Sequence, residues 1–432
     1  MRSRKDLSQS IDWPVILIYL AMVFFGWINI YAAVYDPELD QGIFDFGINS
    51  GKQLMWIGIC LLFVIPPILI FDMKFYSRLA IPAYGLSLIL LLLVMVLARD
   101  IKGAQSWLEV GPVRLQPSEF AKVATALMLA QFVEFPNVRL KNPVYHPVAF
   151  AIIGLPAALI VLQGDAGSAL VFGSFIFVLH REGMQPIYII LGLVGAFFLV
   201  LTLFFKDHLL ELALYIGIGV AVFEVFILLF FTKKKAKINY TLGLIATGIV
   251  AFSIVFSIDF LLTNVLEPHQ RKRLEILIDP QSDPRGTGYQ VTQSMVAIGS
   301  GGVWGKGFIE GTQTKFDFVP DQSTDFIFCT VGEEHGWMGS LLVIGLFVAL
   351  IFRVVTVAER QKSKFARAYG YSVACIFFFH FMINMGMTIG LFPVIGIPLP
   401  FFSYGGSSLI SFTALLFILI KLDSQRMQLL AR

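Results

Sequence analysis

The sequence predicts an all-α polytopic membrane protein. Three observations carry that expectation: apolar runs of span length recur along the chain, charge is scarce, and basic residues gather at alternate ends of the runs. Of 432 residues, 57% are hydrophobic and 14% charged, whereas soluble chains carry charge on about 25% of their residues. A water-soluble fold would have to leave much of this apolar surface wet. The net charge of +3 is small and its Lys and Arg lie in short clusters beside apolar runs, which argues against nucleic acid as a partner and for membrane topology. Cys60, Cys329 and Cys375 sit in apolar surroundings with no paired ligand spacing, so they are expected as small buried hydrophobes, with neither a disulfide nor a metal site.

A helix needs roughly 20 apolar residues to cross the bilayer. Twelve runs qualify: 14–34, 53–71, 79–98, 118–135, 147–163, 167–182, 186–205, 208–232, 238–263, 338–356, 367–390 and 403–421. The first follows Arg2, Arg4 and Lys5 and exceeds the roughly 7 to 15 residues of a signal-peptide core, so it is expected to remain as a span. If those three basics are inside, so are Lys74, Arg78, Arg139, Lys141, Arg181, Lys233 to Lys235, Lys237, Arg353, Arg360, Lys362, Lys364, Arg367, Lys421, Arg426 and Arg432. That places twenty basic residues inside against six elsewhere, five in short outward segments and Lys122 near the outward end of the fourth span, the long segment 264–337 being exempt from the rule. Twelve spans with both termini cytoplasmic is the self-consistent assignment. It gives one membrane domain over 1–432, with a hairpin at 208–263 and a large extracytoplasmic loop at 264–337.

The outward segments are where chemistry is expected. The long loop opens with Pro268-His269-Gln270-Arg271-Lys272-Arg273, cations suited to phosphate or to lipid headgroups. Asp279-Pro280 and Asp283-Pro284 follow; each proline disfavours helix at the residue before it. Such dipeptides are common in turns, but an Asp beside cations is also placed to accept a proton from a hydroxyl. Val291, Met295 and Ile298 recur at helical spacing before Gly299-Ser300-Gly301-Gly302, which predicts a short interfacial or re-entrant helix with a glycine stop. Glu119 and Lys122, three apart near the start of the fourth span, share a helical face; an intramembrane pair either fixes packing or serves function. Glu224 and Asp259 lie in spans eight and nine without an assigned role. Lys233 to Lys237 are expected as positive-inside anchors or anionic-lipid contacts.

These motifs resemble the RodA/FtsW/SpoVE family of shape, elongation, division and sporulation proteins. The resemblance rests on Gly103-Ala104-Gln105-Ser106-Trp107, Gln116-Pro117-Ser118-Glu119-Phe120-Ala121-Lys122, Asp279 to Pro284, Gly286-Thr287-Gly288-Tyr289-Gln290 and Gly299-Ser300-Gly301-Gly302. It continues through Gly305-Lys306-Gly307, Gly311-Thr312-Gln313, Thr324-Asp325-Phe326, Gly332-Glu333-Glu334, Pro398-Leu399-Pro400 and Ser403-Tyr404-Gly405-Gly406-Ser407-Ser408. It covers everything except the hairpin 208–263, and the Gly-Ser-Gly-Gly and Gly-Thr-Gln wording is closer to RodA than to FtsW. Two departures stand: Gln163-Gly164-Asp165-Ala166-Gly167-Ser168 replaces the family's usual Gln-Pro-Asp-Leu-Gly-Thr, and the hairpin adds two spans to the family's ten.

The resemblance implies a peptidoglycan glycosyltransferase that polymerises lipid II in the bacterial cytoplasmic membrane, in cell-wall elongation and shape maintenance. Its site would lie on the extracytoplasmic face. A class B penicillin-binding protein and other elongation-complex membrane proteins are the implied partners. Asp283 matches the family's proposed catalytic aspartate and is expected as general base. Lys122, Arg271 and Arg273 are expected to bind pyrophosphate, with Glu119 orienting Lys122. Asp165, Gln116, Ser118, Lys306, Thr324, Asp325, Glu333 and Ser403 are the further substrate-binding residues. No cofactor or metal site is predicted, although a divalent cation could share the pyrophosphate charge. The rival readings are a lipid II flippase, which would use the same intramembrane pair, and a scaffold that only recruits the penicillin-binding protein.

Overall fold

The computed structural model describes residues 11–36, 42–98, 105–111, 113–204, 268–277, 283, 286–315 and 318–426, with eight isolated positions between 215 and 264. The chain divides into two compact units, one of residues 1–185 and 289–432, the other of 186–288. The hairpin 208–263, with Glu224, Asp259 and Lys233 to Lys237, lies outside the continuously described residues, as do Gly103, Asp279, Arg2, Arg4 and Lys5.

The larger unit is helical. Its elements are α1 (Trp13–Val34), α2 (Asn49–Ile70), α3 (Met73–Leu97), α4 (Pro117–Glu134), α5 (His146–Leu162), α6 (Ala166–Phe172) and α7 (Phe175–Arg181). After the smaller unit come α10 (Thr287–Ser300, whose first two residues belong to the smaller unit), α11 (Thr312–Lys315), α12 (Ile327–Glu334), α13 (Gly336–Glu359), α14 (Lys364–Thr388) and α15 (Gly406–Ser424). The smaller unit contributes α8 (Ile187–Phe204) and α9 (Pro268–Glu275). Ten of the twelve predicted spans therefore coincide with helical segments. Seven helices among the described residues are long and apolar enough to cross a membrane: α1, α2, α3, the 143–162 segment containing α5, α13, α14 and α15. The predicted fourth span is α4, which carries Glu119, Lys122 and Glu134. The sixth is broken, because the helix stops at Gly173 and restarts at Phe175.

Local sequence explains several boundaries. Pro117 takes the first turn of α4, where its missing N–H costs nothing. Asp165 caps α6 by accepting the Ser168 amide at 2.9 Å. Within α2, the ladder loosens to a π turn at Cys60–Val64, directly before Pro66-Pro67; a proline cannot donate the usual bond there. The segment before α4 forms a hairpin of β1 (Leu108–Val110) and β2 (Val113–Leu115), turning at Gly111 with φ +63°. Three alternating residues per strand are too few to announce a hairpin in the sequence.

Lipid-type apolar surface accounts for the exposed faces. Ile81, Leu86, Ile89, Leu92 and Val96 of α3 all point outward, while α14 and α15 bury most of their residues and form the centre of the larger unit. Polar contacts of this unit collect at opposite helix ends. At one end Arg353 and Arg360 clasp Asp12, Arg360 also pairs with Asp423, and Arg367 binds Glu182 at 2.7 Å. At the other end Gln116, Asp165, Ser323, Ser403 and Ser407 come together with the starts of α2, α4, α6 and α15. The motif loops of this unit thus share one end, and the basic residues 353 to 367 share the other.

Candidate active site

In the smaller unit, Asp283 precedes α10 and is outside any helix, as its sequence context predicts. Its residue is 8% exposed. One carboxylate oxygen, Oδ2, accepts the Thr287 amide at 3.0 Å, and the other, Oδ1, receives Lys272 Nζ at 2.8 Å. Each oxygen has lone-pair capacity left over. Gly286 permits this, since a Cβ there would stand 2.2 Å from Oδ2. Proline begins α9, and this short helix projects the three cations: Arg271 turns its guanidinium to Glu275 at 2.9 Å, Arg273 is half-buried, and Lys272 reaches the carboxylate. The basic stretch and the aspartate do meet, but through Lys272, which had not been singled out. The sequence signal was present in the Arg-Lys-Arg run; helical phase decided which member faces Asp283.

In the larger unit the three-residue spacing of Glu119 and Lys122 produces the expected pair, with Nζ 2.8 Å from Oε1. Both residues are sealed, at 1% and 0% exposure. Glu119 Oε2 also accepts Ser411 Oγ at 3.0 Å. Lys122 makes a second contact at 2.8 Å with His380 Nε2 and lies 5.2 Å from the centroid of the Phe412 ring. Sequence reasoning passed over His380, although a titratable residue inside an apolar span is a standard signal. Ser118 is buried beside this pair in sequence, and its Oγ has no hydrogen-bond partner among the described residues.

Gln116 and Asp165 come together, Gln116 Nε2 donating to Asp165 Oδ2 at 3.0 Å, and the Gln116 amide reaches Ser407 Oγ at 3.2 Å. Burial pushes the Asp165 carboxyl up, against the hydrogen bonds from Ser168 and Gln116. Gly167 is required here, because a Cβ would meet the Ile395 carbonyl at 2.1 Å. The altered Gln-Gly-Asp-Ala-Gly-Ser motif thus keeps both residues that its geometry uses.

Glu333 is fully buried and gathers five donors: Lys306 Nζ, the Thr312 amide and hydroxyl, and the amides of Gln313 and Thr314, at 2.7 to 3.1 Å. Burial alone would raise this carboxyl. The Gln313 amide, Lys306 and Thr314 outweigh it and hold it below the ordinary carboxylate range. Gly301 and Gly305 lie against the Gly332 and Glu334 carbonyls, where a Cβ would stand 2.0 Å away in each case. The Gly-Ser-Gly-Gly, Gly-Lys-Gly, Gly-Thr-Gln and Gly-Glu-Glu motifs therefore form one clamp.

Beside it, Glu334 bonds the Ile309 amide, and its Oε2 has no partner among the described residues. Burial raises this carboxyl to about 7. Ser403 Oγ accepts the Leu399 amide at 2.9 Å, closing its own turn. Thr324 Oγ1 donates to the Asp321 carbonyl at 3.1 Å, and the Asp325 carbonyl accepts Asn384 Nδ2 at 2.7 Å. Thr324 and Ser403 thus shape loops, while Asp165, Lys306 and Glu333 hold them together.

The chain as a whole is similar to known proteins. The family model described as cell cycle protein, covering FtsW, RodA and SpoVE, matches residues 12–215 and 212–428. The peptidoglycan glycosyltransferase MrdB of Escherichia coli K12 is 32% identical over 425 residues, 97% of this chain and 95% of the relative. The peptidoglycan glycosyltransferase RodA of Treponema pallidum is 32% identical over 433 residues, covering 92% and 94%. A chain of a peptidoglycan synthase complex, solved for its coordination of polymerization and crosslinking, superposes with a TM-score of 0.67 at 28% identity, covering 97% of this chain and 99% of that one. The rod shape determining protein RodA of Thermus thermophilus shares the fold, with a TM-score of 0.60 at 24% identity over 96% and 97% of the two chains. Matched over residues 12–428 by the family's model and over 92% or more of its length by these relatives, the chain belongs to the FtsW/RodA/SpoVE family of cell cycle proteins.

Proposed function

We infer that this multi-pass membrane protein is a peptidoglycan glycosyltransferase that polymerises lipid II into β-1,4 glycan strands. The observation that carries the reading is 32% identity over nearly the full length to peptidoglycan glycosyltransferases, joined to an Asp283 carboxylate held beside a lysine. The flippase alternative loses ground because both relatives are named as peptidoglycan glycosyltransferases.

In the proposed step, Asp283 accepts the proton of the acceptor N-acetylglucosamine 4-hydroxyl. That oxygen attacks the anomeric carbon of the donor N-acetylmuramic acid. The new C–O bond forms as the bond to undecaprenyl pyrophosphate breaks, so a single displacement inverts an α-linked donor to a β bond. The pyrophosphate leaves as an anion, for which Lys272, Arg271 and Arg273 are the cations of the same segment. Arg271 must release Glu275 to take part. In the larger unit Lys122 remains a candidate for binding pyrophosphate, with Glu119 orienting it; because it is enclosed, substrate entering from the bilayer would have to uncover it. Gln116, Ser118, Asp165, Lys306, Thr324, Asp325, Glu333 and Ser403 are the further proposed substrate-binding residues; among them Gln116 with Asp165, and Lys306 with Glu333, also tie loops of the larger unit together.

The site is proposed to face the extracytoplasmic side of the bacterial inner membrane, with both termini cytoplasmic, on the charge bias of the short loops. Elongation is the proposed process, with a class B penicillin-binding protein as partner; similarity to a chain of a polymerising and crosslinking complex supports that partner.

The test is Asp283→Asn in purified full-length protein supplied with lipid II and the partner. Wild type should give a glycan ladder on gels and the variant none; a ladder from the variant would remove Asp283 from the mechanism.

A further inference from the structure

We propose that His380 is a positioning residue that fixes the Lys122 ammonium and couples it to the turn 398–403. The proposal rests on the reading above, in which Lys122 serves the lipid-linked substrate.

The geometry assigns the imidazole's proton. His380 Nδ1 lies 3.1 Å from the Pro398 carbonyl, which can only accept, so Nδ1 carries the hydrogen. Nε2 then presents a lone pair to Lys122 Nζ at 2.8 Å. The ammonium has three N–H bonds: one points to Glu119 Oε1, one to His380, and the Phe412 ring lies 5.2 Å away. The imidazole is itself braced, its centroid 4.8 Å from that of Phe412 at 81°. His380 is 1% exposed and Lys122 0%, so neither bond can be replaced by bulk water.

The carbonyl that sets the tautomer belongs to a stiff turn. Ser403 Oγ accepts the Leu399 amide, the Ser403 amide donates back to the Leu399 carbonyl at 3.0 Å, and Phe401 holds φ +64°, a region aromatic residues rarely enter. Phe401 also packs edge-on against Phe412. A shift in this turn therefore reaches Lys122 by two routes, one through the imidazole and one through the Phe412 ring.

A neutral acceptor suits the task. Glu119 supplies the counter-charge, and a second carboxylate at 380 would hold the ammonium in competition with any incoming phosphate oxygen. An imidazole lone pair orients the ammonium yet can be exchanged for a phosphate oxygen at the cost of one neutral acceptor.

Two isosteric replacements separate the two ring nitrogens. In His380→Asn the amide nitrogen can take the place of Nδ1 and keep the Pro398 bond, but the side chain ends short of Lys122. In His380→Gln the amide oxygen can take the place of Nε2 and accept from Lys122. Polymerisation of lipid II by the full-length chain with its partner, and thermal unfolding in detergent, are measured for both. With similar unfolding temperatures, His380→Gln should keep kcat within about threefold of wild type while His380→Asn loses about tenfold or more, the scale of one lost hydrogen bond to a charged group. Equal activities of the two variants, whether both high or both low, would overturn the proposal. Should His380→Asn not fold, His380→Gln decides alone: retained kcat supports the role and loss refutes it. Wild type that makes no glycan in the same assay would instead bring down the glycosyltransferase reading, and this inference with it.

Discussion

Asp283 folds its carboxylate directly over Gly286, leaving no room for a β-carbon: one built there would lie 2.2 Å from Oδ2 and 2.9 Å from Oδ1. The glycine lets the aspartate reach the Thr287 amide and Lys272 together. Gly286→Ala must push the carboxylate out of that position. Losing one charge-assisted hydrogen bond, about 1.5–3 kcal/mol, should lower the polymerisation rate by roughly ten- to a hundredfold. The unfolding temperature should barely move, because the contact is local. Full activity in this variant would show that the observed carboxylate position is not the working one.

Lys272 and Arg271 are neighbours with different partners, and their alanine variants should differ accordingly. Lys272 pairs with Asp283 while more than half exposed, so the pair adds little stability. Arg271 is occupied by Glu275. Lys272→Ala is expected to reduce kcat/KM for lipid II more than Arg271→Ala does, with both proteins melting near wild type. Steady-state polymerisation at several ionic strengths checks this, and the opposite ranking would return the pyrophosphate role to Arg271.

The adjacent acids Glu333 and Glu334 predict opposite pH behaviour. Glu333 is lowered, so its contribution is present above the unfolded carboxylate range and fades as pH falls. Glu334 is raised from 4.5 to about 7, so between those values the folded protein binds a proton that the unfolded chain releases. Stability from this group is complete below pH 4.5 and is lost as pH rises to about 7. That shift corresponds to on the order of 3 kcal/mol. The ionised carboxylate would then rest on the Ile309 amide, with Ile309 at φ +65°, a costly conformation for a β-branched residue. Glu334→Gln should flatten the decline in unfolding temperature between pH 5 and 7.5, measured by scanning fluorimetry. An unchanged slope would show that another group titrates there.

Much of this was legible in the sequence because lipid imposes hard constraints. Span length and the scarcity of charge located ten helical segments with ends displaced by up to six residues, and helical spacing with a glycine stop located α10, which ends at Ser300 with Gly302 at φ +58°. Glu119 and Lys122 were readable as a pair because three residues make almost one turn. What could not be read is long-range: His380 lies 258 residues from Lys122, and Ser411 lies 292 from Glu119. No local pattern encodes such contacts. The break at Gly173 to Ser174 and the clamp around Glu333 were hidden for the same reason, since both depend on what packs against them. Asp283 was singled out among several acids by family resemblance, and Lys272 by the phase of a helix too short to show periodicity.

The glycine clamp carries a last prediction, because it sets the level of its own apolar residues. The Trp337 amide bonds the Gly302 carbonyl at 2.9 Å and the Met338 amide bonds the Val303 carbonyl at 3.2 Å. Trp337 is the second residue of α13, a helix long and apolar enough to span, so residues 302 to 304 sit level with the start of that span. Trp304 is 79% exposed and Trp337 60%. Aromatic rings with one polar N–H favour the headgroup boundary of a bilayer. In a variant that keeps Trp304 and replaces the other five tryptophans by Phe, fluorescence in reconstituted vesicles should be quenched by lipids brominated high on the acyl chain. Lipids brominated near the chain end should quench it less, and aqueous iodide should quench it weakly. Strong iodide quenching with no response to brominated lipid would place the clamp in water, above the membrane surface.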